Sequence, residues 1–300
     1  MVTEQEVDAI GQTLVDPKQP LQARFRALFT LRGLGGPGAI AWISQAFADD
    51  SALLKHELAY CLGQMQDARA IPVLVDVLQD TRQEPMVRHE AGEALGAIGD
   101  PEVLELLKQY SSDPVIEVTR PPLVSLPVSG PWEALPSPAP ALAWSSLKPS
   151  PSLVARATIW LRMPQKTELP FPPLLTPASA PSPAGLHCGS ALFRHEVGYV
   201  LGQLQHEAAV PQLAAALARC AENPMVRHEC AEALGAIARP ACLAALQAHA
   251  DDPERVVRES CEVALDMYEH ETGRAFQYAD GLEQLHGGPP PRAPPSPGAP

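Results

Sequence analysis

The chain is predicted to be all-α, an α-α superhelix of stacked helix pairs in two duplicated halves, interrupted by a Pro-rich irregular segment. Three observations carry this. The triplet Arg-His-Glu or Lys-His-Glu recurs as Lys55-His56-Glu57, Arg88-His89-Glu90, Arg194-His195-Glu196 and Arg227-His228-Glu229, with 33 residues between the two copies of each pair. The surroundings recur as well: Glu84 to Ile98 returns almost verbatim as Asn223 to Ile237, and His56 to Met65 matches His195 to Leu204. A period in the low thirties, filled by two helical patterns and a turn, is the length of one helix pair in an α-solenoid.

Taken in chain order, the first helical pattern runs from Leu21 to Leu34, with Phe25 and Arg26 near the places that His and Glu hold later. Leu54, Leu58, Cys61, Leu62 and Met65 then fall at helical spacing and predict a helix over 54–65. Between the His-Glu helices, 71–78 and 210–217 each carry Pro near the start, where a missing N–H costs nothing. Val87, Ala91, Ala94, Leu95 and Ile98 repeat the apolar stripe over 87–98, and its equivalents predict helices over 192–204 and 226–237. Asp252 to Leu265 aligns with the preceding unit, but Glu259 and Ser260 stand in the His and Glu places.

Residues 119–184 break the pattern. Asp113 to Val118 begins a helix in phase with Asp252 to Val257, and Thr119-Arg120-Pro121-Pro122 stops it. The prolines that follow, among which lie Trp132, Trp144 and Trp160, are too dense for a packed helix pair. The expected organisation is therefore a repeat half over 1–118, an irregular or disordered segment over 119–184, a second repeat half over 185–285, and a disordered Pro/Gly tail over 286–300. Replacement of a repeat-bearing stretch is the simplest account of 119–184, with a natural Pro-rich linker as the competing view.

Six of the nine histidines are followed by Glu, and four of those six hold one phase of the repeat. Imidazole nitrogen with carboxylate oxygen, presented from several helices, is the donor set of a non-haem iron site. Adjacent inner helices stand roughly 10 Å apart, so side chains of neighbouring repeats can converge on one ion. A lone His-Glu pair is more often a solvated charged face, whereas four in register argue for a site. His206-Glu207 and His270-Glu271 are out of phase and read as surface residues.

A net charge of −13, with +3 on residues 119–184 and −16 on the rest, argues against a nucleic-acid partner and for a cationic one. No apolar run suits a secretory signal or a membrane span, so neither membrane nor export is expected. Cys61, Cys188, Cys220, Cys230, Cys242 and Cys261 form no C-x-x-C pair and read as reduced, buried thiols of a cytoplasmic protein.

Over 1–118 and 185–285 these motifs resemble the deoxyhypusine hydroxylases, HEAT-repeat di-iron monooxygenases. The resemblance implies a HEAT-like fold in which each half places two His-Glu helices around a centre of two Fe ions. The matching metal positions are His56, Glu57, His89, Glu90, His195, Glu196, His228 and Glu229. It also implies O2 as co-substrate and hydroxylation of deoxyhypusine on the eukaryotic translation initiation factor 5A precursor, yielding hypusine, by a monomer. With ligands to spare, Glu57, Glu90, Glu196 and Glu229 are candidates for holding the substrate's ammonium groups.

Two other classes compete: a catalytically impaired HEAT scaffold and a lyase of the related phycobilin-type group, for which no chromophore or acid site is visible. The scaffold reading rests on 119–184. If juxtaposition of the halves depends on repeats replaced there, this chain is expected to bind iron weakly and hydroxylate poorly.

Overall fold

The computed structural model describes residues 2–110, 113, 115, 183–273, 278–279 and 281–285. Of the segment read as irregular, only Pro183 and Ala184 fall among these, in a short 3-10 turn, Pro183–His187; the rest of it, and the expected tail 286–300, lie outside the described residues. Every regular element among the described residues is helical.

Local chemistry sets the helix ends. α1 (Glu4–Val15) opens on a capping box between Thr3 and Glu6. α2 (Leu21–Leu34), α3 (Gly36–Gln45) and α4 (Ala52–Met65) follow, and the Ser51 hydroxyl caps α4 by accepting from the Leu54 N–H. Next come α5 (Ile71–Gln79), α6 (Pro85–Ile98) and α7 (Leu104–Tyr110). In the second half Ser190 caps α8 (Ala191–Leu204) and Asn223 caps α10 (Pro224–Ile237), with α9 (Val210–Leu217) between them. α11 (Pro240–Gln247), α12 (Arg255–Thr272) and the short α13 (Gly281–Leu285) complete the helices among the described residues. The four His-Glu helices therefore begin two residues or fewer before the predicted starts and end where predicted.

The His-Glu helices lie side by side because small residues let their backbones meet. A Cβ on Gly63 would stand 2.8 Å from the Ala94 Cα, and one on Gly202 would stand 2.9 Å from the Ala233 Cα. Gly235 meets Ala264 on α12 in the same way, at 2.8 Å from its Cβ. No side chain larger than hydrogen fits these crossings. Leu58, Leu62 and Leu95 fill the core beside them, and each buried leucine contributes about 1.5–3 kcal/mol. The same apolar cluster takes in Leu192, Met225 and Val263 from the second half.

A second device repeats with the fold. The Arg88 Nε–H donates to the Leu78 carbonyl at 2.9 Å while Nη2 pairs with Asp113 at 2.7 Å. Arg227 does the same with the Leu217 carbonyl at 2.8 Å and Asp252 at 2.5 Å, and Arg24 with the Leu14 carbonyl at 2.8 Å and Asp49 at 2.6 Å. Each aspartate accepts a backbone N–H at the head of the next repeat, from Ser51, Val115 and Glu254. In two of the three Arg-His-Glu copies, Arg88 and Arg227, the arginine thus stitches one repeat to the next, whereas Arg194 pairs with Glu222.

The two halves are in direct contact, contrary to the expectation that their juxtaposition depends on 119–184. α12 packs on α2 and α4. There the Arg26 guanidinium forms a two-pronged pair with Asp266, with Nε donating at 2.9 Å, and the Ser51 hydroxyl donates to Glu259 at 2.7 Å. α13 lies on α1 and α2, its Gly281 N–H donating to the Thr30 hydroxyl at 3.0 Å. Arg26 and Glu259 are the residues that stand where other repeats carry His or Glu. At the outer repeats that position fastens the halves.

Of the six thiols, Cys61, Cys230, Cys242 and Cys261 are buried as expected, whereas Cys188 is half-buried and Cys220 is exposed, on a loop that periodicity does not place. Burial alone would raise the Asp252 carboxyl, but Arg227, the Glu254 N–H and His249 hold it at about 2. This contributes stability above the unfolded pKa near 4 that is lost as pH falls through 2. Arg227→Met is expected to lower the unfolding free energy by about 2 kcal/mol at neutral pH, since Asp252 then keeps only the Glu254 N–H and His249 as partners. Urea titrations should show the gap between wild type and variant closing as pH falls below about 4; a gap independent of pH contradicts the pairing.

Candidate metal centre

The sequence places each His-Glu pair near the middle of an inner helix, and the crossings bring all four pairs together. All eight side chains are buried, with residue exposures between 0% for His228 and 6% for Glu57 and Glu196. Imidazoles gather across the halves: His56 and His228 ring centroids are 5.1 Å apart, His195 and His228 5.4 Å, and His56 and His89 each lie 6.0 Å from His195. Helices that start 139 residues apart in sequence thus share one polar core.

The first pair of each half is arranged alike. His56 Nδ1–H donates to Glu57 at 3.1 Å, and His195 Nδ1–H donates to Glu196 at 3.2 Å. Their other nitrogens face the next repeat, His56 Nε2 lying 3.4 Å from Glu90 and His195 Nε2 lying 3.2 Å from Glu229. The second pair of each half differs: His89 Nε2 lies 3.2 Å from Glu93 and 3.8 Å from Glu196 of the other half, while His228 Nδ1 lies 3.5 Å from Glu232.

These approaches leave ring nitrogens unsatisfied. His56 Nε2, His195 Nε2 and both nitrogens of His89 and His228 are buried with no hydrogen-bond partner among the described residues. Each such group costs about 1–3 kcal/mol unless something coordinates it. Ligand atoms of His56, His195 and His228 lie within 4.8 Å of one another. So do those of His89, His195 and Glu196, of His89, Glu90 and Glu93, and of His228, Glu229 and Glu232. Imidazole and carboxylate together suit a first-row divalent metal, and the orphaned nitrogens give such an ion its place.

Electrostatics divide the histidines, and a metal ion at His56 or His195 would have to displace a proton that the neighbouring carboxylates favour. Burial opposes a charge on His56, yet the Glu57 and Glu90 carboxylates beside it prevail and hold its imidazolium well above the usual range. His195 is raised for the same reason, with burial outweighed by Glu196 and Glu229. His228 is driven well below the ordinary value by burial and by His56 and His195, so it stays neutral and its lone pair is available. Burial, with Glu57 and Glu229 nearby, pushes Glu232 well above the carboxylate range. The cluster holds an excess of negative charge that a divalent cation would relieve.

A cavity of about 180 Å³ opens onto this cluster, reaching His56, Glu57, Glu90, His195, Glu229 and Glu232. Its walls include Phe25, Phe29, Tyr60, Tyr199 and Met267. Glu93 and Glu232 were missed by sequence reading. Their signal was the glutamate four residues after His89 and His228, one helical turn away in the near-verbatim repeat. The two out-of-phase pairs lie away from the cluster: His206 and Glu207 are exposed, while His270, expected at the surface, is half-buried against the Tyr278 ring at 5.3 Å.

Residues 7–84, 41–122 and 184–266 match the HEAT repeats family. Human deoxyhypusine hydroxylase is 75% identical over 310 residues, which cover 96% of this chain and 100% of that protein. The Bos taurus deoxyhypusine hydroxylase is 68% identical over 305 residues, covering 95% of this chain and 98% of its own length. The solved structure of human deoxyhypusine hydroxylase in complex with glycerol matches with a TM-score of 0.69 and 67% identity, over 89% of this chain and 97% of that one.

A metal that takes one orphaned nitrogen from each of the four histidines must also stabilise the fold. Ferrous ion at a thousandfold excess over its dissociation constant, added without oxygen, is expected to raise the unfolding free energy by about 4 kcal/mol. A chelator should reverse the gain. An unchanged denaturation midpoint would count against metal at this cluster.

Proposed function

The chain belongs to the deoxyhypusine hydroxylase family, and from that premise we propose that it hydroxylates deoxyhypusine on the eukaryotic translation initiation factor 5A precursor, using two iron ions and O2 and forming hypusine. It is an enzyme, a hydroxylase of the oxidoreductase class. The observation that carries the reading is the buried cluster of four imidazoles and four carboxylates, drawn from both halves and ending in nitrogens without a hydrogen-bond partner among the described residues.

In this reading His56, Glu57, His89, Glu90, His195, Glu196, His228 and Glu229 hold the ions. Iron bound there would supply the binding and activation of O2. The chain's own part is to position and exclude. Histidines no more than 3% exposed keep bulk water from the ligand face, which strengthens every charge interaction within it. Glu57, Glu90 and Glu229 also face the cavity, where carboxylate oxygens accept charge-assisted hydrogen bonds from the ammonium groups of the substrate side chain. Their placement suits a long alkylamine that reaches inward while the rest of the substrate protein stays outside. The acidic balance outside 119–184, at −16, favours a cationic partner loop over nucleic acid.

The scaffold alternative is not favoured. Its premise was that the halves part without regular repeats over 119–184, whereas the contacts of α2 with α12 hold them face to face. No helix among the described residues is long and apolar enough to cross a membrane. A monomer working in the cytoplasm completes the proposal.

Outer partners of metal ligands alone typically cost about 10–100-fold when removed, so loss of a ligand is expected to cost about a hundredfold or more. His89→Ala and His228→Ala should therefore lower both bound iron and hypusine formation to that extent, while His206→Ala and His270→Ala keep them. Iron analysis and mass spectrometry of the substrate protein decide it. Equal losses in the two groups, or hypusine formed at the wild-type rate by His89→Ala, would overturn the assignment.

A further inference from the structure

The fourth position after each histidine divides the repeats into two kinds. In the second unit of each half it is Glu93 or Glu232, set against the preceding histidine; in the first unit it is Tyr60 or Tyr199. One helical turn, about 5.4 Å, carries each tyrosine from His56 or His195 toward the C-terminal end of its helix. There the two meet across the halves, with ring centroids 6.2 Å apart, planes inclined by 70° and hydroxyls 3.2 Å apart. Both line the cavity. Both are half-buried, whereas His56 and His195 beneath them are buried and Gln203, one further turn along α8, is exposed. The tyrosines therefore stand between the ligand cluster and the rim.

A collar in this place has a definite chemistry. Ring faces attract an ammonium by their quadrupole and pack against methylenes, while Glu57, Glu90 and Glu229 below add full charges. Phe25 from α2 extends the same aromatic wall, while the neighbouring Phe29 ring already carries the Arg32 guanidinium at 4.9 Å. Walls of this kind select a cationic alkyl chain over a neutral one of equal length. We propose that Tyr60 and Tyr199 form an aromatic collar that grips the alkylammonium stem of the substrate side chain, fixes its depth over the ligand cluster and so determines specificity. The proposal rests on the hydroxylase reading above and names two positioning residues within it. A purely structural latch between halves would use the paired hydroxyls and not the ring faces, which separates the two roles experimentally.

The test uses the full, iron-loaded chain and its deoxyhypusine-bearing substrate protein. The double variant Tyr60→Leu/Tyr199→Leu is expected to raise KM about tenfold, within the range a desolvated cation–π contact supplies, with kcat and iron content little changed. Tyr60→Phe/Tyr199→Phe, which keeps the rings and removes the hydroxyls, should restore KM. An unchanged KM in the leucine variant, or a phenylalanine variant as impaired as the leucine one, overturns the collar. Should the double leucine variant fail to fold or to hold iron, the single variants Tyr60→Leu and Tyr199→Leu decide: a linear alkanediamine must inhibit each more weakly than it inhibits the wild-type chain. Equal inhibition of wild type and both single variants overturns the proposal. A wild-type chain that makes no hypusine would sink the hydroxylase reading instead, and calorimetry of the diamine on the iron-loaded wild-type and single-variant chains would still support or refute the collar.

Discussion

Four imidazoles and four carboxylates withdrawn from water at the face between two helical stacks impose the condition that the rest of the structure meets. Unpaired, such groups cost more than a domain's net stability, which is only about 5–15 kcal/mol. They can lie together only if the helices that carry them approach closely and in fixed register. Gly63 on Ala94 and Gly202 on Ala233 supply the approach within each half. The Arg88–Asp113 and Arg227–Asp252 pairs fix the register from one repeat to the next. The union of the halves, through Arg26–Asp266 and Ser51–Glu259, brings the two sets of ligands to one centre. Even so, several ring nitrogens have no hydrogen-bond partner among the described residues, and that unmet chemistry is what points to metal.

Much of this was legible in the sequence because repetition amplifies it. A single His-Glu step says little, but four at one phase, inside near-verbatim copies of 84–98 and 223–237, placed both the helices and the eight candidate ligands. Less legible was the division of labour within the motif. Arg88 and Arg227 each face a carbonyl ten residues back and an aspartate 25 residues on, a structural task that adjacency to histidine obscures. Glu93 and Glu232 stand one turn beyond their histidines, and a helical glutamate at that spacing ordinarily meets solvent. Tyr60 and Tyr199 needed the third dimension, since nothing in either half shows that its tyrosine faces the other's.

The expectation that failed concerned closure. A broken repeat pattern over 119–184 suggested two halves free to part, because solenoid stability is close to a sum of neighbour interfaces. That sum omits contacts between the ends of the stack. α2 and α12 carry no His-Glu pair at the repeat phase, and those positions hold Phe25, Arg26, Glu259 and Ser260. Arg26 reaches Asp266 240 residues away, a pairing that no periodicity encodes. Divergence from the repeat marked the clasp, just as identity with the repeat marked the site.

The account turns on one centre built from both halves, so locating the metal is its most direct test. Crystals of the iron-loaded chain, measured on either side of the iron absorption edge, should show anomalous density among His56, His89, His195 and His228, with donors from both halves around it. Iron found elsewhere, or held by the residues of a single half, would contradict it.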